Sequence, residues 1–171
     1  AKSVKVNIYK EGIGGTVVKT VKMKRTGNDL WTADIKGDLK GMFYTFQVET
    51  KQQKMNETPG VFAKAVGVNG RRAAIIDMAE TNPEGWCCDQ RPLTKQPTDL
   101  VIYEMHHRDF SVSPTSGLTN KGKFLALTEP KAVYHLKNLG INAIHILPSY
   151  DYALVDESKP DVAQYNWGYD P

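Results

Sequence analysis

The chain has 171 residues, 40% of them hydrophobic and 24% charged, which suits one ordinary globular domain or two small ones. Its 22 basic and 19 acidic residues are dispersed and leave a net charge of +3, so no basic block points to nucleic acid as a partner. No apolar run approaches the roughly 20 residues needed to cross a bilayer, and no membrane span is expected.

Ala1 is not preceded by an initiator Met and opens no apolar leader, so it is expected to mark a processing or cloning boundary. In "SVKVNIYK" the apolar Val4, Val6 and Ile8 alternate with Lys5, Asn7 and Tyr9. "EGIGG" supplies hairpin glycines, after which Val17, Val21 and Met23 resume the alternation. The cluster "GIGG" lacks the Lys-Ser/Thr pair and the following helix of a phosphate loop. Beyond "RTGND", the stretch "LWTADI" puts Trp31, Ala33 and Ile35 on one face. Beyond "KGDLKG", "MFYTFQVE" does the same with Met42, Tyr44, Phe46 and Val48, and "AAIIDM" is expected to close the set. Short period-two runs punctuated by Gly and Asp predict a small antiparallel β-sandwich of immunoglobulin-like type over residues 1–95. Cys87 and Cys88 are adjacent and lack C-x-x-C spacing, so they read as two free thiols.

"CDQRPLTKQPTD" is a polar, proline-bearing joint, and the pattern changes after it. "DLVIYEMHHRDF" is apolar on both faces, as a strand buried on both sides would be. "TEPKAVYHLKNLG" predicts a helix capped by Thr128 or Glu129, with Pro130 in its first turn and Gly140 as its stop. Ala132, Val133, Leu136 and Leu139 form its apolar stripe, and "INAIHILP" is a second apolar strand. Strand, helix, strand is a βαβ unit with parallel strands and a right-handed crossover. Such strands want further parallel neighbours. His106 and His107, read as neighbours on a strand, would point to opposite faces and could not share a metal ion, so both are taken as structural. The stretch "AQYNWGYDP" then places Tyr165, Asn166, Trp167 and Tyr169 within the last seven positions.

"VIYEMHHRDFS", "LGINAIHILPSYDYALVDE" and above all "YNWGYDP" resemble the type I pullulanases, starch-debranching enzymes of the α-amylase superfamily. "FAKAVGVNGRRAAIID" and "NPEGW" resemble the segment that joins the family's sandwich module to its catalytic domain. The resemblance implies a β-sandwich of starch- and glycogen-binding type, followed over residues 98–171 by the start of a (β/α)₈ TIM barrel: first strand, first helix, second strand and the loop beyond. A whole barrel takes about 250 residues, so the chain is expected to be a fragment. The implied parent hydrolyses α-1,6 branch linkages in pullulan, amylopectin and limit dextrins with retention. That chemistry needs two carboxyls about 5–5.5 Å apart, and the family's nucleophile, acid/base and supporting Asp fall on later strands, beyond Pro171.

Catalytic residues, cofactors and metal ligands are therefore expected to be none in this chain, and the fragment inactive alone. Asp151, Asp156, Glu157, Asp161 and Asp170 read as solvated loop carboxylates. Tyr169 matches the aromatic that stacks under the sugar beside the cleaved bond, with Asn166 and Trp167 shaping the rim of the substrate-binding pocket. A pyranose offers an apolar C–H face to such a ring. The family generally has an apolar residue where this chain has His107. "ETKQQKMNETPG" carries no aromatic, so the sandwich is expected to be architectural and to bind glucan weakly. The expected partners are an α-glucan substrate and either the remainder of the barrel or a second fragment. The resemblance leans slightly towards an extracytoplasmic or secreted parent. The alternatives are a fragment of a related branching or debranching enzyme, or a non-catalytic glucan-binding protein.

Overall fold

The computed structural model describes residues 1–150, 152–166 and 169. They fall into two compact units. One is Ala1–Trp86 with Asp156–Gln164; the other is Cys87–Val155 with the described residues from Tyr165 onward.

The first unit is an antiparallel β module. Strands β1 (Ser3–Tyr9), β2 (Lys19–Lys22), β5 (Phe43–Glu49) and β6 (Ala73–Ala74) form one sheet in the order β2-β1-β5-β6. β3 (Lys24–Thr26) and β4 (Leu30–Thr32) form a separate hairpin. β1 pairs along its whole length with β5, from Ser3↔Glu49 to Tyr9↔Phe43. That register sets Val4 opposite Val48, Val6 opposite Phe46 and Ile8 opposite Tyr44, and the Tyr44 and Phe46 rings meet edge to face at 5.3 Å. Cross-strand pairs of this kind are the unit of sheet stabilisation. Val6, Ile8, Tyr44 and Phe46 share a cleft of ≈ 490 Å³ with Trp31, Ala33 and Ile35. The alternation read in "LWTADI" is therefore real, with Trp31 half-buried. Gly14 (φ 66°) and Gly15 (φ 63°) carry the β1–β2 connection through the left-handed region, where a side chain would be strained.

Two details differ from expectation. "AAIIDM" pairs as a strand only at Ala73–Ala74, because Asp77 caps the 3₁₀ turn Met78–Thr81 by accepting from the Ala79 N–H. The other face of β1 is also covered: Asn7 and Tyr9 are 5% and 4% exposed, where alternation alone predicts a solvated face.

The second unit contains β7 (Ile102–Met105), helices α1 (His107–Ser111) and α2 (Pro130–Asn138), and β8 (Ala143–Ile146). β7 and β8 pair in parallel, Ile102↔Ala143 to Met105↔Ile146, as the βαβ reading requires. α2 starts with Pro130 after Glu129 and is followed by Gly140 at φ 77°. It buries Ala132 and Leu136, whereas Val133 and Leu139 stay exposed. Leu118, Ala126 and Ala132 form a small core against Phe110.

The strand expected to run through "HHRDF" stops at Met105. His106 turns the chain into α1, its ring Nδ1 accepting from the Arg108 N–H. The two histidines consequently lie side by side, rings stacked 4.8 Å apart, rather than on opposite faces. The outer residues of the parallel pair remain open to solvent: Ile102 is 59%, Ile144 43% and Ile146 41% exposed.

Candidate functional site

The candidate loop begins where β8 ends. Leu147 N–H still bonds to the Met105 carbonyl at 2.8 Å, so the first loop residue is registered to β7. Ser149 follows, and its hydroxyl donates to the Leu147 carbonyl at 2.9 Å. A serine has one proton to give, so at the 3.0 Å contact with Ser149 Oγ it is His107 Nδ1 that donates. This assigns the Nδ1–H tautomer. Burial, then the neighbouring His106, push the His107 pKa below the ordinary imidazole value, with Asp109 opposing. A neutral ring suits its stacking on Phe124 at 4.2 Å. His107 is 8% exposed and anchors the loop that follows β8. Tyr152 extends the anchor, donating to the Pro148 carbonyl at 2.7 Å.

Of the three residues singled out for sugar contact, Tyr169 is 66% exposed and Asn166 is half-buried, while Trp167 lies outside the described residues. Tyr169 holds φ 61°, a left-handed conformation that a bulky residue rarely adopts and that clusters at ligand-contacting sites. Tyr165, 81% exposed, adds a second open ring. An exposed phenol ring on a strained backbone can cover an apolar ligand face while its hydroxyl stays wet.

Two of the described loop carboxylates, Asp156 and Glu157, are taken up by local partners. Asp156 accepts from Lys159 Nζ at 2.9 Å and from Ser158, and these hydrogen bonds lower its pKa to about 2. Glu157 accepts from the Asn69 N–H at 2.6 Å. Asp151 and Asp170 lie outside the described residues. Among the described residues no cluster of three or more His, Cys, Asp or Glu could hold a metal ion, and no helix is long and apolar enough to cross a membrane.

One polar constellation has no local signal in the sequence. Glu57 receives Asn7 Nδ2 at 2.9 Å, Thr45 Oγ1 at 2.6 Å and the Tyr9 hydroxyl, while Thr20 donates to Asn7 Oδ1 at 2.7 Å. The Arg72 guanidinium sits 3.5 Å from the centre of the Tyr9 ring. Burial works to raise the Glu57 pKa, but the bonds from Thr45, Tyr9 and Asn7 and the charge of Arg72 outweigh it, and the net direction is down. Tyr9 moves up, from burial first and the carboxylate second. The group is fully partnered and closes the second face of the sheet; it is structural. Its partners lie 12 to 50 residues from Glu57, too far apart for any motif to connect them.

An antiparallel β module in one chain with a parallel βαβ unit defines a two-part protein that mixes both sheet types. No family model matches the sequence. The pullulanase of Bacillus subtilis strain 168 is 38% identical over 162 residues, covering 90% of this chain and 22% of the relative. The crystal structure of apo pullulanase from Paenibacillus barengoltzii superposes with a TM-score of 0.92 at 45% identity, covering 100% of this chain and 28% of that one. The same pullulanase in complex with maltohexaose and α-cyclodextrin also gives 0.92. The pullulanase of Bacillus acidopullulyticus gives 0.88 at 36% identity, over 100% and 22%. The chain is a homologue of the pullulanases. It spans between 22% and 28% of the length of these proteins.

Proposed function

We propose that residues 1–95 are the immunoglobulin-like sandwich module, and residues 98–171 the opening of the (β/α)₈ catalytic barrel, of a type I pullulanase. The end-to-end similarity to Paenibacillus barengoltzii pullulanase, at 45% identity, carries this reading. The parallel β7–β8 pair supports it too, since its exposed Ile102, Ile144 and Ile146 suit strands that expect further barrel strands and helices around them. The parent hydrolyses α-1,6-glucosidic branch linkages by a retaining mechanism. A glucan substrate is supported by the complex of the related pullulanase with maltohexaose and α-cyclodextrin.

In a barrel of this kind the active face lies at the C-terminal ends of the strands. The loop after β8 leaves from such an end, anchored by His107 and Ser149. Tyr169 stacks beneath the sugar next to the cleaved bond, and Asn166 and Trp167 shape the rim. The catalytic carboxylates come from strands outside this chain, so the chain alone is inactive. The sandwich is architectural: its exposed rings Phe62 and Trp86 are each worth only about 0.5–1.5 kcal/mol of stacking.

The test is Tyr169→Ala in the protein that carries the whole barrel. Removing a ring that meets the distorted sugar should lower kcat/KM on pullulan about tenfold, the equivalent of about 1.4 kcal/mol, and leave the melting temperature unchanged. A variant that loses stability and keeps its turnover would make Tyr169 a packing residue.

A further inference from the structure

Cys87 and Cys88 follow each other in the 3₁₀ turn Trp86–Cys88, and both are free and exposed. The turn brings their sulfurs to 3.5 Å. Two neighbouring side chains on an extended chain would point apart, so the turn is what makes a pair of them. We propose that this pair is a dithiol capture site for soft trivalent metalloids, of which organoarsenic(III) oxides are the chemical class.

The geometry selects the ligand. Adjacent Cα atoms across a trans peptide are about 3.8 Å apart, below the 4.4–6.8 Å range of ordinary disulfides, so closing the pair on itself is strained. A bridging atom avoids that strain. With sulfur bonds of about 2.3 Å, the length found for zinc thiolates, a 3.5 Å sulfur separation needs a bridging angle of about 100°. That is the angle of a pyramidal three-coordinate centre rather than a tetrahedral one. Divalent zinc would also need further protein ligands, and the described residues offer no cluster of three or more. A trivalent centre that brings its own third substituent needs only the two sulfurs.

The reaction balances without an oxidant. In R–As=O each thiol sulfur forms one As–S bond, the As=O bond breaks, and the oxygen leaves with the two thiol protons as one water. Arsenic stays trivalent and both sulfurs keep their oxidation state. Once the first bond has formed, the second is intramolecular, which raises the effective concentration and tightens capture by about 10²–10⁴ over a single thiol.

The experiment treats the full chain with phenylarsine oxide and follows intact mass. One phenylarsenic group per chain is expected, retained against excess 2-mercaptoethanol and released by 2,3-dimercaptopropanol. Cys87→Ser and Cys88→Ser should each weaken capture at least about 100-fold, since either leaves one sulfur. An adduct stripped by the monothiol would overturn the proposal. So would a single-serine variant that binds as tightly, or a thiol titration showing the pair oxidised in untreated protein.

Discussion

Replacing Glu57 by alanine removes the acceptor for three side chains at once. Asn7, Tyr9 and Thr45 are 5%, 4% and 2% exposed, and each gives a hydrogen bond to this carboxylate. A buried donor left unpaired costs about 1–3 kcal/mol, so three orphans set an upper limit near 9 kcal/mol. Glu57 itself is exposed, however, and water can enter along the path its side chain vacates. Screening and water replacement bring the expected loss down to about 2–4 kcal/mol, still a large share of a typical 5–15 kcal/mol total. Urea unfolding of the chain followed by circular dichroism reads this as a lower midpoint at unchanged slope. The pH dependence gives an independent check. Because the folded-state pKa of Glu57 is depressed, its contribution is present above the unfolded value and is lost as pH falls through the folded one. Glu57→Gln should lack that acid-side loss. A change below about 0.5 kcal/mol for Glu57→Ala would mean that the three hydrogen bonds carry no stability, since exposed positions without a structural role stay within that range.

The Asp156 carboxyl should titrate with a midpoint of about 2 by NMR, and Lys159→Ala should move it up towards the ordinary aspartate value; an unchanged midpoint would remove Lys159 as the cause. In sedimentation, the 19.1 kDa chain should run as associated species, because Ile102, Ile144 and Ile146 leave the parallel pair open. A monodisperse monomer with β8 amides strongly protected from exchange would contradict that.

Much of the fold was legible because the local signals agreed. The alternation in "SVKVNIYK" and "MFYTFQVE" became the central pair β1–β5, and Pro130 and Gly140 bracket the helix that joins two parallel strands. What escaped depended on side chains distant in sequence or on a single cap. Asn7 and Tyr9 looked solvated because Glu57, which covers them, lies about 50 residues on. The "HHRDF" segment looked like strand because its apolar pattern continues, yet the His106 ring captures the Arg108 N–H and starts a helix instead. The pairing of His107 with Ser149 was equally hidden, 42 residues apart. The aromatics of "YNWGYDP" are what proposed the candidate loop, whereas nothing in the local sequence pointed to the anchor at its base.

Reducing-end release from pullulan shows where the chemistry lies. The expected outcome is none from the 171-residue chain alone, and cleavage confined to α-1,6 linkages by a longer protein that joins it to the remaining barrel strands. Release by the chain alone, or a longer protein that leaves pullulan intact, would contradict it.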